Sequence, residues 1–149
     1  MDGVPAVLRP AVSSVVPAIV LIEDHPLLRD GLVQLLTDAG FQVAASAGTC
    51  EDGHAAVTAQ RPHLAVIDNN LPDGSGIELC RRLSRDAPTT GVIIHSGALS
   101  SREHAAALAA GARAVVAKSI TGRVLIEAIH DLMRGPFIAP DGGGLAPDS

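Results

Sequence analysis

Apolar residues fall along this chain in two alternating rhythms. Short solid runs lie near 18–22, 41–45, 63–67, 91–95 and 113–117. Runs of this length, bounded by turn residues, read as strands buried on both faces. Between and after them, apolar positions recur every three or four residues, as on one face of a helix. Leu28, Leu32, Leu35 and Leu36 form one such stripe; Leu125, Ile129, Leu132 and Met133 form another. Helix starts are also marked. Pro26 suits a first helical position after His25. Thr49 with Asp52, Ser75 with Glu78 and Ser100 with Glu103 have capping-box spacing, and Thr121 can cap the last helix. Gly40 and Gly111 fall where helices should end. Five strands alternating with five helices predict an α/β domain, a doubly wound, mostly parallel sheet covered on both faces. Right-handed crossovers leave few topologies. Strand order 2-1-3-4-5 is the one adopted, because it sets the ends of strands one, three, four and five side by side.

Those strand ends carry the chemistry. The run His63-Leu64-Ala65-Val66-Ile67 stops at Asp68 and opens into a turn-rich loop, Asn69 to Gly76. Val20-Leu21-Ile22 stops at Glu23-Asp24, Val92-Ile93-Ile94-His95 at Ser96, and Ala114-Val115-Val116-Ala117 at Lys118. Open α/β sheets bind ligands at such carboxyl ends. Three clustered carboxylates repel one another, and burial raises the cost. A hard divalent cation removes the conflict, and Mg²⁺ takes oxygen ligands in octahedral geometry. Asp24 and Asp68 can supply carboxylate oxygens, the Asn70 backbone carbonyl a third, with Glu23 acting through water. Lys118 is a mobile point charge suited to a phosphoryl oxygen, and Ser96 offers a hydroxyl to another. Asp68 is the candidate nucleophile, since a carboxylate can accept a phosphoryl group as an aspartyl phosphate.

Composition narrows the alternatives. The chain has 149 residues, 47% of them hydrophobic, which suits a single domain with one core. Aromatics are 1% and net charge is -5, so base stacking and a broad phosphate-binding surface are both disfavoured. Direct DNA binding by this chain is not expected. Cys50 and Cys80 lack metal-ligand spacing and read as buried or inert thiols in a reducing cytoplasm. No stretch is long and apolar enough to span a membrane, and Pro5, Arg9 and Pro10 interrupt any export-signal pattern. Residues 1–17 and 135–149 read as flexible ends around a domain of residues 18–134.

In this order and at these junctions the motifs are specific. Glu23-Asp24, then Asp68 with Pro72, Gly74 and Gly76, then Ser96-Gly97, then Lys118, together resemble the receiver domain of bacterial two-component response regulators. The wording from Leu21 to Leu32 and from Pro72 to Cys80 is most similar to receivers of the subfamily with a LuxR-type helix-turn-helix. The resemblance implies a flavodoxin-like (βα)5 fold and Mg²⁺ dependence. It implies phosphorylation of Asp68 by a histidine kinase or histidine phosphotransfer protein. Output would pass to a homodimer or an effector through the surface of helix four, strand five and helix five. Such a protein assists its own phosphorylation and dephosphorylation and is not an enzyme acting on a separate substrate.

Two departures stand out. The family's aromatic switch residue, shortly before the lysine, is Val115 here, and no helix-turn-helix follows Met133 in this chain. The chain then reads as a stand-alone receiver or a truncated regulator. A phosphohydrolase with an aspartyl nucleophile would want an acid two positions after Asp68, where Asn70 stands. A pseudo-receiver, acting as a phosphorylation-independent interaction module, is the remaining alternative. Asp73 reads as turn chemistry, His25 as a surface or capping residue, and His95 as an ordinary strand residue bordering the site.

Overall fold

In the computed structural model, residues 16–119 and 121–134 are described. The termini read above as flexible lie mostly outside these residues. Five strands form one parallel sheet: β1 (Ala18–Ile22), β2 (Gln42–Ala47), β3 (Leu64–Asp68), β4 (Gly91–Ser96) and β5 (Ala114–Ala117). The helices are α1 (Pro26–Asp38), α2 (Cys50–Gln60), α3 (Gly76–Asp86), α4 (Ser101–Ala109) and α5 (Arg123–Arg134). Strand order is β2-β1-β3-β4-β5, as the sequence predicts.

Strand alternation divides the core into two layers. Ile19, Leu21, Leu64, Val66, Ile93 and Val116 pack with Leu32 and Leu36 of α1 and Leu125 and Ile129 of α5. Val20, Ile22, Ala65, Ile67, Val92 and Ile94 face the other way, against Val57 of α2, Leu79 and Leu83 of α3, and Ala107 of α4. Both faces of β1, β3 and β4 are therefore dry, which explains their unbroken apolar runs. Each fully buried Ile or Leu contributes about 2 kcal/mol of transfer free energy. With almost no aromatics, the core depends on many branched aliphatic side chains.

The predicted punctuation operates with small differences. Ser100 and Glu103 make a complete capping box. Thr49 and Ser75 make only half of one each, accepting from the Asp52 and Glu78 amides. Thr121 Oγ1 accepts from the Arg123 amide at the start of α5. Gly40 and Gly111 follow α1 and α4 at φ +98° and +112°, where a side chain would be strained. Cys50 and Cys80 are free and buried, and burial pushes each thiol up to about 11.

Candidate functional site

Sheet register builds the site. Ile22 pairs with Ile67, Asp68 with His95, and Ser96 with Ala117. The residues that end β1, β3, β4 and β5 thus share one edge. Glu23 and Asp68 are 1% and 3% exposed, although both are acids. Lys118 Nζ lies 3.2 Å from Glu23 Oε1 and 3.3 Å from Asp68 Oδ2. One ammonium therefore faces two buried carboxylates, with Asp24 beside them.

The backbone around these groups is fixed by named contacts. Glu23 Oε2 accepts from the His25 amide at 3.3 Å. Arg29 donates to the Glu23 carbonyl at 2.9 Å, so α1 holds the acid pair from behind. Asp68 Oδ1 accepts from the Asn70 amide at 3.1 Å, an Asx-type turn that starts the loop. The loop then folds as a small antiparallel ladder in which Asn70 pairs with Ser75 and Leu71 with Gly74. Gly76 closes it, its amide donating to the Asn69 carbonyl. A Cβ on Gly76 would stand 2.5 Å from the Asp68 carbonyl oxygen, so only glycine fits this approach.

Glu23, Asp24, His25 and Asp68 each offer one ligand atom, all within 4.8 Å of one another. Asp24 Oδ1 and Glu23 Oε1 are buried and make no hydrogen bond among the described residues; Lys118 meets Glu23 Oε1 as a charge, without hydrogen-bond alignment. Buried carboxylate oxygens without donors are costly. An oxygen-rich set with net negative charge fits a hard divalent cation. The His25 ring, itself exposed, was not in the expected ligand set. Its Nδ1 stands 3.4 Å from Glu23 Oε2 and 3.5 Å from Asp24 Oδ1, and it makes no side-chain cap for α1.

The remaining expected residues fall as follows. Ser96 ends β4, buried, with its Oγ free of any hydrogen bond among the described residues. Its carbonyl accepts from the Lys118 amide at 2.9 Å, which ties the hydroxyl and ammonium strands together. Asn70 is exposed at the loop's start. His95 is more than an ordinary strand residue. It is buried opposite Asp68 with its Nε2 lacking a hydrogen-bond partner among the described residues. Burial and then the Lys118 charge push its pKa down to about 4, against a smaller upward pull from Asp68. An isolated histidine in an apolar run carries no motif, so the sequence marks it only as a strand residue bordering the site.

Residues 19–130 match the response regulator receiver domain family. This chain belongs to that family. It is therefore a receiver domain of two-component systems, the class of signalling domain its strand-end motifs resemble. The chain is 40% identical over 116 residues to the DNA-binding transcriptional activator DevR/DosR of Mycobacterium tuberculosis, covering 77% of this chain and 54% of that protein. It is 30% identical over 125 residues to the transcriptional regulatory protein UhpA of Escherichia coli, covering 83% and 62%. The chain thus spans about half the length of the curated relatives it matches. Among solved structures it resembles a LuxR-family two-component response regulator from Aurantimonas sp. SI85-9A1, at TM-score 0.77 and 28% identity, covering 85% and 92%. A CheY-like receiver domain protein from Methanospirillum hungatei matches at TM-score 0.75 and 28% identity, covering 80% and 95%. These likenesses agree with the flavodoxin-like sheet order. No helix among the described residues is long and apolar enough to cross a membrane.

Proposed function

We propose that this receiver accepts a phosphoryl group on Asp68 from a phosphohistidine of a histidine kinase or phosphotransfer protein. The observation that carries the reading is the arrangement around Asp68. A buried carboxylate at the end of a central strand faces one ammonium and two further acids. Asp68 Oδ2 is the oxygen beside Lys118, while Oδ1 is held by the Asn70 amide. The carboxylate is therefore presented in a fixed orientation, which is where much of the catalytic advantage of such transfers comes from. A carboxylate oxygen attacks phosphorus; the P–N bond breaks, and the imidazole leaves with the electron pair and takes up a proton. Lys118 then turns from Asp68 to a phosphoryl oxygen, and Ser96 Oγ donates to another.

Asp24, Asp68 and the Asn70 carbonyl would hold Mg²⁺, with Glu23 reached through water. Bound there, the cation supplies charge neutralisation for the phosphoryl oxygens. A cleft of about 480 Å³ beside Lys118, lined by His25, Pro26, Leu27 and Leu28, suits docking of the phosphodonor protein. Leu27 and the adjacent Leu28 are 88% and 36% exposed there, so the cleft offers a partner two neighbouring apolar side chains. Output would leave through α4, β5 and α5, to a second copy or to an effector. The curated relatives are transcriptional regulators by name, so control of transcription is the output class proposed.

The test is incubation with a small acyl-phosphate donor. The expected product is acid-stable and base-labile and forms only with Mg²⁺. Equal labelling in excess chelator would contradict the metal role; no labelling under any condition would favour the pseudo-receiver.

A further inference from the structure

The loop that follows Asp68 is a hairpin of only two residue pairs. A ladder that short does not hold itself in water. Its base is anchored by Asn69: the carbonyl accepts from Gly76, and Oδ1 accepts from the Ile77 amide at 3.1 Å. Its tip is anchored by Asp73, which reaches away from the hairpin to the start of α2. Asp73 Oδ1 accepts from the Cys50 amide at 2.7 Å, and Oδ2 accepts from the Glu51 amide at 3.1 Å. The Cys50 amide is the largest cause that lowers the Asp73 pKa.

Thr49 already caps this helix through the Asp52 amide. The first turn of α2 thus has two capping side chains, one local and one from 23 residues away. The local cap serves the helix alone. The distant one also fixes where the hairpin lies, with a weaker tie from the Cys50 thiol to the Ser75 carbonyl at 3.7 Å, and the hairpin begins with Asn70.

We infer that Asp73 is a positioning residue for the phosphoacceptor site: by clamping the hairpin tip to α2 it sets the place of Asn70, and so the metal-binding geometry around Asp68. This rests on the function proposed above. Asp73 touches neither metal nor phosphoryl group; it acts through the loop backbone. Supporting contacts of this kind commonly change metal affinity by ~10-fold or more when lost.

Thr49→Ala and Asp73→Ala each remove capping from the same turn, but only the second removes the two amide hydrogen bonds that hold the hairpin tip to α2. Both should lower thermal stability. Asp73→Ala should weaken Mg²⁺ binding about 10-fold, followed by NMR of the Asn70 amide, and slow phosphorylation by a small phosphodonor. Thr49→Ala should leave Mg²⁺ affinity at the wild-type value. Asp73→Asn keeps the shape and one acceptor, so it should fall between wild type and Asp73→Ala, and it serves if the alanine variant fails to fold. Wild-type Mg²⁺ affinity in Asp73→Ala or Asp73→Asn, or an equal loss in Thr49→Ala, would overturn the inference. Wild type that binds Mg²⁺ but takes no phosphoryl group would contradict the phosphoacceptor reading alone, and Mg²⁺ affinity then decides the role of Asp73.

Discussion

Lys118 Nζ lies 3.3 Å from Asp68 Oδ2, although Asp68 ends β3 and Lys118 follows β5, two strands separated by a third. The contact spans β4, and the lysine side chain also reaches Glu23 beyond β1. One cation thus balances acids from two other strand ends. Removing it should leave Glu23 and Asp68 buried and uncompensated. Lys118→Ala should lose about 2 kcal/mol of stability, discounted from the cost of a fully buried broken pair because Lys118 is partly exposed. Mg²⁺ should then raise its melting temperature more than it raises that of wild type. Equal Mg²⁺ effects in the two proteins would mean that the ammonium does not balance these acids.

Asp24 and Glu23 should differ as ligands. Glu23 already has Lys118 and the His25 amide, whereas Asp24 Oδ1 has no hydrogen bond among the described residues and only the His25 ring nearby at 3.5 Å. Asp24→Asn should weaken Mg²⁺ binding more than Glu23→Gln does, as measured by calorimetry. It should also stabilise the metal-free protein by about 1 kcal/mol, by relieving carboxylate repulsion. The reverse ranking would show that the two acids exchange roles.

His95 sets a pH dependence. Its folded pKa is about 4 against an ordinary 6.5, so the folded state resists a proton that the unfolded chain accepts. The His95 contribution to stability is therefore full above about 6.5, falls as pH drops towards about 4, and changes no further below that. A displacement of this size corresponds to ~3 kcal/mol. Chemical denaturation of metal-free protein should show the decline, and His95→Leu should flatten it. An unchanged slope in the variant would assign the decline to other groups.

Val115 is partly buried, with its side chain on a cleft of about 160 Å³ shared with Ser96, Leu99 and His104. A β-branched residue is stiff at χ1 and has no ring to swing into that space. A beryllofluoride-type phosphate mimic should therefore shift NMR signals across residues 100–120 less in wild type than in Val115→Tyr. The cleft should admit the ring without a large loss of melting temperature. Undiminished wild-type shifts would mean that the aromatic does not matter here.

Much of this was legible in the sequence because strands buried on both faces announce themselves as unbroken apolar runs. The acids, the hydroxyl and the lysine stand where those runs stop, so strand order alone places them together. What the sequence did not disclose depends on contacts between distant segments. Asp73 reads as a turn residue, and its hold on the α2 amides appears only once the hairpin is set against that helix. The turn of the His25 ring towards the acids and the burial of His95 beside Lys118 are likewise tertiary facts.

The most direct measurement is the mass of intact wild type and Asp68→Asn after a small phosphodonor and Mg²⁺, with borohydride reduction to locate the acyl phosphate. One phosphoryl group is expected on wild type, mapped to Asp68, and none on the variant. A phosphoryl group on the variant in equal yield, or mapped to another residue of wild type, would contradict that assignment.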